Sequence, residues 1–139
     1  MTYRLLWIKQ KSWGGAKIRL ILLKKELDKD LLSLLLPASL TALFELDRFD
    51  QKDGAIHFYL AEKNVPPAKF AGQALLSKGF FDEATLRDFP LRGKPCFLHL
   101  KRRKWLNTET GKIVFNEWNE VAEGTRLTVE FAAFLKGFN

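Results

Sequence analysis

One stretch decides the fold: Cys96-Phe-Leu-His-Leu-Lys-Arg-Arg-Lys-Trp-Leu106, then Asn107-Thr-Glu-Thr-Gly111, then Lys112-Ile-Val-Phe-Asn-Glu-Trp118. Two apolar segments flank a short loop that ends in glycine, and this arrangement is typical of a β-hairpin. We therefore predict a two-stranded hairpin over residues 96–118. The rest of the chain is interpreted around it.

Upstream of this stretch, the sequence predicts further strands. Residues 44–49 and 55–61 alternate in apolar character on either side of a turn that contains Asp-Gly, which indicates another hairpin. Two prolines in Asn64-Val-Pro-Pro67 interrupt the pattern and predict a loop, because proline lacks a backbone donor. Residues 70–89 contain short apolar pieces divided by glycine and are consistent with two more strands.

Helical spacing occurs at both ends of the chain. Leucines recur through residues 26–36 and stop at Pro37, which predicts one amphipathic helix, and residues 38–44 favour a short second one. Near the C-terminus, residues 128–136 have helical periodicity with Thr128 as the candidate N-cap. We predict an α+β fold in which an N-terminal helical segment and a C-terminal helix pack on antiparallel β-hairpins.

Domain organisation follows from these elements. Residues 1–25 are interpreted as an N-terminal extension of unknown role, and residues 26–139 as a single α+β domain. Gly14-Gly15 is a candidate flexible boundary, and Tyr3 to Ile8 could equally add an edge strand.

The composition favours some classes of protein and excludes others. There are 23 Lys and Arg residues against 16 Asp and Glu, so the net charge is +7 and a polyanionic partner is favoured. Cys96 is the one cysteine, which excludes an internal disulfide and favours the reducing cytoplasm. No long uncharged apolar run or secretory signal is present, so no membrane association is expected.

The positive charge is concentrated in residues 92–104, which have six basic residues and no acidic one. Lysines neutralise phosphates, arginines also bond guanine edges, and a twisted ribbon can follow a DNA groove. A short basic run on a solvated strand end that contacts no nucleic acid is the alternative. The candidate nucleic-acid-binding residues are Arg92, Lys94, Lys101, Arg102, Arg103, Lys104, Trp105 and Lys112.

The acidic, histidine and cysteine residues that could carry catalysis are better explained by structural roles. Asp47, Asp50 and Asp53 surround a turn without the spacing of a calcium loop. His57 and His99 lie on predicted strands with no nucleophile motif, and Cys96 sits among apolar residues as a buried thiol would. No phosphate loop, HExxH or nucleophile elbow occurs. We expect no enzymatic activity, no metal and no cofactor.

Long strings of this sequence resemble a known family. Leu86-Arg-Asp-Phe-Pro-Leu-Arg-Gly-Lys-Pro-Cys-Phe-Leu-His-Leu-Lys-Arg-Arg-Lys-Trp105 and Val121-Ala-Glu-Gly-Thr-Arg-Leu-Thr128 are similar to the separately encoded N-terminal region of split transposases from ISAon-type insertion sequences. The similarity covers roughly residues 26–136. It implies a DNA-recognition or assembly module that contacts double-stranded transposon ends, with the catalytic transposase on a second polypeptide as partner.

This chain departs from the longer transposases of that group, in which the basic strand leads into the cysteines of a zinc-binding module. The stretch Trp105 to Phe115 contains no cysteine, so metal binding is not expected here. Two other functions stay open: an interaction subunit that binds the catalytic chain without touching DNA, and an RNA-binding module with aromatic side chains on a solvent-facing sheet. The aromatic candidates for the latter are Phe97, Trp105, Phe115 and Trp118.

Overall fold

The computed structural model describes residues 14–137. The strands follow one another along the chain, with helices at both ends of the described part, as in an α+β fold. The elements are α1 (Gly14–Leu35), α2 (Ala38–Leu43), β1 (Phe44–Lys52), β2 (Ala55–Glu62), a 3-10 turn (Ala68–Phe70), β3 (Leu75–Phe80), β4 (Ala84–Leu91), β5 (Lys94–Lys101), β6 (Arg103–Asn107), β7 (Ile113–Val114) and α3 (Val129–Lys136).

The chain divides into two compact units, residues 1–41 and 42–139. The predicted helix over residues 26–36 is longer than expected, since α1 extends from Gly14 to Leu35. Gly14 and Gly15, the candidate flexible boundary, are the first two helical residues of the described chain. A glycine costs a helix only about 1 kcal/mol, which the following run of leucine, isoleucine and lysine offsets. The suggested edge strand at residues 3–8 lies outside the described residues.

The second unit contains a four-stranded sheet with strand order β1-β2-β5-β4. The predicted hairpin of β1 and β2 is confirmed, and its turn places Asp53 and Gly54 at φ values of 54° and 74°. β2 and β5 run parallel, with Phe58 opposite Leu98, a non-local pairing that the sequence did not predict. β4 and β5 form another antiparallel hairpin closed by Arg92-Gly93.

The predicted hairpin over residues 96–118 is wrong in its first strand. The chain leaves the sheet at Arg102, so residues 96–101 belong to β5 in the four-stranded sheet and residues 103–107 to β6 in a three-stranded sheet of order β3-β6-β7. Only Trp105 and Leu106 pair with β7, opposite Val114 and Ile113. At this junction Phe81 N–H donates to the carbonyl of Arg102 at 2.8 Å, so the chain is held against the end of β3 where β6 begins.

Side chains alternate between the two faces of a strand, and in the four-stranded sheet the two faces differ in character. One face is buried and apolar: Phe58, Leu60, Leu86, Leu98 and Leu100 are all core residues. The intervening positions on β2 and β5 carry rings that are only half-buried. The sheet therefore has a core face and a second, polar and aromatic face.

The predicted C-terminal helix is confirmed as α3, and it contacts β4. Thr128 is its N-cap, with the side-chain oxygen accepting the N–H of Phe131. Phe89 of β4 packs against Phe131 and Phe134, with ring centroids 5.2 and 5.3 Å apart. These contacts attach the last element of the described chain to the edge of the four-stranded sheet.

Candidate nucleic-acid interface

The basic run is distributed over two sheets because the chain leaves the four-stranded sheet at Arg102. Lys101 ends β5 and is exposed, whereas Lys104 lies within β6 and is half-buried. Within residues 14–137, neither ammonium forms a hydrogen bond or an ion pair. Both charges can therefore be neutralised by an external anion without breaking an internal hydrogen bond or ion pair.

Arg102 is held by the protein itself. Its Nη2 donates to the carbonyl oxygen of Asn116 at 2.7 Å, and its guanidinium lies 5.6 Å from the Phe115 ring centroid and 6.0 Å from that of Trp118. Its Nε is buried and has no hydrogen-bond partner. This side chain ties the β5–β6 junction to the segment after β7.

Arg103 is also engaged internally. Its Nε donates to the carbonyl oxygen of Glu62 at 2.8 Å, and its guanidinium lies 4.6 Å from the centroid of Phe80. The buried carboxylate of Glu62 accepts the Arg103 backbone N–H at 3.4 Å and the Asn116 amide at 2.8 Å. Arg103 thus fixes the start of β6 against the end of β2.

Trp105 does not lie on the surface where the sequence suggested that it could pack on a sugar or base. It is 1% exposed, and its indole Nε1 donates to Oδ1 of Asn64 at 3.3 Å. The reason is register: Trp105 lies on the inner side of β6, between Ser77 of β3 and Val114 of β7. In this structure it is a core residue.

The remaining predicted residues are at other places. Arg92 has φ 53° in the β4–β5 turn and Lys94 begins β5, where its Nζ donates to Gln51 at 3.1 Å. Seven residues of strand separate Lys94 from Lys101, which is about 23 Å. Lys112 is exposed in the loop between β6 and β7. The structure therefore brings Lys101, Arg102, Arg103 and Lys104 together and places the other three cations apart from them.

Two cations of the run lie beside exposed aromatic rings that follow directly after β3 and β7. The Nζ of Lys104 is 5.2 Å from the centroid of Phe81, Arg102 lies over Phe115, and the two phenyl rings meet edge to face at 5.5 Å. Phe81 and Phe115 are 36% and 42% exposed. We call Phe81, Arg102, Lys104 and Phe115 the cation–ring surface. Both rings therefore combine solvent exposure with a neighbouring cation.

A row of stacked rings occupies the polar face of the four-stranded sheet. His57 stacks on Phe97 at 5.4 Å and on His99 at 5.1 Å, and Tyr59 stacks on His99 at 4.5 Å. The guanidinium of Arg48 covers Tyr59 at 3.6 Å from its centroid. Because the rings lie against one another and under Arg48, their faces are largely occupied. This face offers ring edges and polar atoms rather than open stacking platforms.

The two histidines are joined by a hydrogen bond of 2.8 Å between Nδ1 of His57 and Nε2 of His99. Nδ1 of His99 lies 3.3 Å from a carboxylate oxygen of Glu83 and 3.2 Å from the hydroxyl of Thr85. Since a carboxylate only accepts, Nδ1 of neutral His99 carries the proton and its Nε2 accepts from His57. Burial lowers the pKa of His99 despite the opposing effect of Glu83, which favours this neutral form.

A small cavity of about 60 Å³ opens at one end of this row and has lining side chains of both charge signs. Arg48 and Lys101 contribute positive charge, and Asp47 and Glu83 contribute negative charge. Their balance favours neither an anion nor a cation. No group of three or more potential metal ligands occurs among the described residues.

Sequence reasoning missed two residues that lie beside the basic run. Phe81 and Lys78 were assigned only to a pair of strands within residues 70–89, with no reason to place them near the basic run. The β3–β6 pairing brings them there, because the register shift between Ser77 and Phe80 sets Lys78 and Gly79 against Lys104. Lys78 is exposed. No local pattern specifies a pairing across this length of chain.

Within residues 14–137, no helix combines the length and apolar character that a membrane span requires. Comparisons of this chain with known protein families, with curated proteins and with solved structures give no match.

Proposed function

We propose that this chain is a non-catalytic DNA-binding and assembly module of a transposase, and that it contacts the phosphate backbone through Lys101 and Lys104. One observation carries the proposal: Lys101 is exposed, Lys104 is half-buried, both belong to one basic run, and neither has an internal hydrogen-bond or ion-pair partner among the described residues. When such lysines neutralise phosphates, the counterions condensed on the nucleic acid are released, which favours binding.

The neighbouring arginines have a different role. Arg102 and Arg103 donate to the carbonyl oxygens of Asn116 and Glu62, so they hold β6 in the orientation that presents Lys104. The net charge of +7 supports long-range attraction to a polyanion. Lys78 lies opposite Lys104 in the β3–β6 pair and adds a further exposed cation beside it.

The resemblance to split transposases supplies the finer part of the proposal. It favours double-stranded transposon ends as the target, a separately encoded catalytic transposase as the partner, and the cytoplasm as the compartment. Arg92, Lys94 and Lys112 are then secondary phosphate contacts outside the central cluster. In this proposal the catalytic carboxylates belong to the partner chain.

A second candidate is binding of single-stranded nucleic acid, RNA included. The exposed rings of Phe81 and Phe115 favour it, because unpaired bases stack on aromatic side chains next to cations. Duplex phosphates need the lysines alone, whereas single strands need the rings as well. The two candidates therefore differ in their dependence on Phe81 and Phe115.

The experiment is a set of equilibrium binding titrations with fluorescent oligonucleotides at several salt concentrations. The probes are duplexes with the terminal repeats of the element, scrambled duplexes of the same length, and the corresponding single strands. We expect the terminal duplex to bind most tightly and the affinity to fall steeply with salt. Tighter binding of single strands, lost in Phe81→Ala with Phe115→Ala, favours the second candidate.

The variants should spare the arginines. Alanine at all of residues 101–104 would remove the contacts of Arg102 and Arg103 to Asn116 and Glu62, so lost binding could reflect a disturbed fold. Lys101→Ala with Lys104→Ala removes no internal hydrogen bond or ion pair among the described residues, only the contact of Lys104 with the Phe81 ring. Lys29→Ala with Lys136→Ala is the matched control, because it removes the same charge from exposed positions elsewhere. Absence of binding to every probe at low salt would contradict the proposal.

A further inference from the structure

The three-stranded sheet has a buried face and an exposed one. Trp105 and Asn107 of β6 are 1% and 3% exposed. Because side chains alternate along a strand, Lys104 and Leu106 lie on the opposite, outer face. Both are only half-buried, although β6 is the central strand of this sheet. Solvent therefore reaches the middle of the outer face.

An apolar row crosses this outer face. Leu106 pairs with Leu76 of β3 on one side and with Ile113 of β7 on the other. Directly paired residues of antiparallel strands lie on the same face, and Leu76 and Ile113 are 53% and 44% exposed. Since neighbouring strands lie about 4.8 Å apart, the row extends over about 10 Å. It is an accessible apolar surface on three strands.

The cation–ring surface adjoins this row. Lys104 precedes Leu106 by two residues in β6, and Phe115 follows Ile113 by two, so both lie about 7 Å along their strands from the row. The antiparallel register of β6 with β7 sets Phe115 beside Lys104. From β3, exposed Lys78 lies against Lys104. We call the following residues the outer sheet face: Leu76, Lys78, Leu106 and Ile113, together with the cation–ring surface.

The outer sheet face is positively charged. The three strands β3, β6 and β7 contain three basic residues and no acidic one. Glu117, two residues after Phe115, is paired with Lys69 at 2.6 Å. Asp82, which follows Phe81, leaves the sum of charges on the face positive. A complementary partner is therefore anionic and also offers apolar groups.

Unpaired nucleotides have both properties. Their bases present flat faces that stack on protein side chains, and their phosphates are attracted to lysine and arginine. In a duplex the base faces are stacked on one another, so duplex DNA would use the cations of this surface and leave its apolar row uncovered. Sheet faces of RNA-recognition modules stack two or three bases in this way.

We propose that the outer sheet face binds the unpaired nucleotides of a single-stranded tail next to a duplex. The inference rests on the proposed function, because Lys101 and Lys104 supply its duplex contact. Lys104 belongs to both surfaces. The Cα atoms of Lys101 and Lys104 are three peptide units apart, which is at most about 11 Å. Duplex phosphates and the first unpaired nucleotides thus meet adjoining parts of one surface.

The test is fluorescence anisotropy of the full chain with four DNA probes. They are a blunt duplex, the same duplex with a tail of about four unpaired nucleotides at its 5′ end or at its 3′ end, and the tail strand alone. We expect one of the two tails to raise the affinity for the duplex at least about tenfold, because a single base stacked on an aromatic side chain contributes this much. The tail strand alone should bind more weakly than the tailed duplex.

Variants of the apolar row separate the tail from the duplex. Leu76→Thr with Ile113→Thr should abolish the gain from the tail and leave the affinity for the blunt duplex unchanged. Threonine suits a strand and both positions are exposed, so the sheet is retained. Phe49→Thr with Val65→Thr is the matched control: these residues are 65% and 63% exposed outside the three-stranded sheet, and the gain should persist. Circular dichroism verifies that each variant folds.

The outcomes distinguish this inference from the proposed function. Equal binding of tailed and blunt duplexes, or a gain that survives Leu76→Thr with Ile113→Thr, would overturn the inference and leave the duplex contact of Lys101 and Lys104 standing. Binding of the tail strand alone as tightly as the tailed duplex would overturn that duplex contact itself. Preference for a peptide rich in glutamate and leucine over every DNA probe would identify an acidic protein segment as the occupant and also overturn the inference.

Discussion

The hydroxyl of Thr128 donates a 2.8 Å hydrogen bond to Oδ1 of Asp88, and both residues are buried. The same hydroxyl oxygen accepts the N–H of Phe131 at 3.3 Å. One side chain thus caps α3 and satisfies a carboxylate inside β4. Backbone bonds on either side complete the attachment, because Thr128 N–H donates to the carbonyl of Arg87 at 3.0 Å.

Removal of this hydroxyl should destabilise the fold. We expect Thr128→Val to lower the free energy of unfolding by about 2 to 3 kcal/mol, because it removes an N-cap and leaves a buried carboxylate without its donor. Thr128→Ser keeps both hydrogen bonds and should cost only about 1 kcal/mol for the lost methyl group. Urea unfolding measures both. Equal losses would show that the hydroxyl contributes no more than the methyl group.

Protonation of His99 should oppose folding. Burial lowers the pKa of His99 below its ordinary value of 6.5, so the unfolded chain binds this proton more readily than the folded one. The stability that neutral His99 contributes is therefore complete above about pH 6.5 and is lost as the pH falls towards the lowered pKa. Urea unfolding of wild type and His99→Asn between pH 5 and 8 should show that the variant has less of this dependence. An unchanged pH dependence would contradict this role.

The thiol of Cys96 should be inert in the folded protein. Burial, with a further contribution from the charge of Asp88, raises the pKa of Cys96 to about 12, and the thiolate that reacts with alkylating agents is then negligible near neutral pH. We expect modification by iodoacetamide to follow the unfolded fraction in a urea series. Thr108→Cys in a Cys96→Ala background is the exposed control and should react at once. Rapid alkylation of native Cys96 would contradict the buried position.

Local patterns predicted the elements of this fold better than their arrangement. The Asp53-Gly54 turn and the Thr128 cap are specified within a few residues, so the first hairpin and α3 could be predicted. The parallel pairing of β2 with β5 and the pairing of β3 with β6 join distant segments. Nothing in the alternation of residues 96–107 marks Arg102 as the point where one strand becomes two.

In the candidate site, too, the sequence predicted the local feature but not the contacts between distant segments. The sequence identified the basic run, because charge is visible in composition, and it placed Lys101 and Lys104 among the candidates. It could not separate these lysines from Arg102 and Arg103, whose partners Asn116 and Glu62 are distant in the chain. The same holds for Trp105, whose burial depends on strands β3 and β7.

The central claim is that Lys101 and Lys104 neutralise phosphates, and the salt dependence of duplex binding tests it most directly. Each phosphate contact contributes about 0.9 to the slope of log affinity against log salt concentration. We predict that Lys101→Ala with Lys104→Ala reduces this slope by nearly 2, while Lys29→Ala with Lys136→Ala leaves it unchanged. An unchanged slope in the first variant, or an equal reduction in both, would contradict the claim.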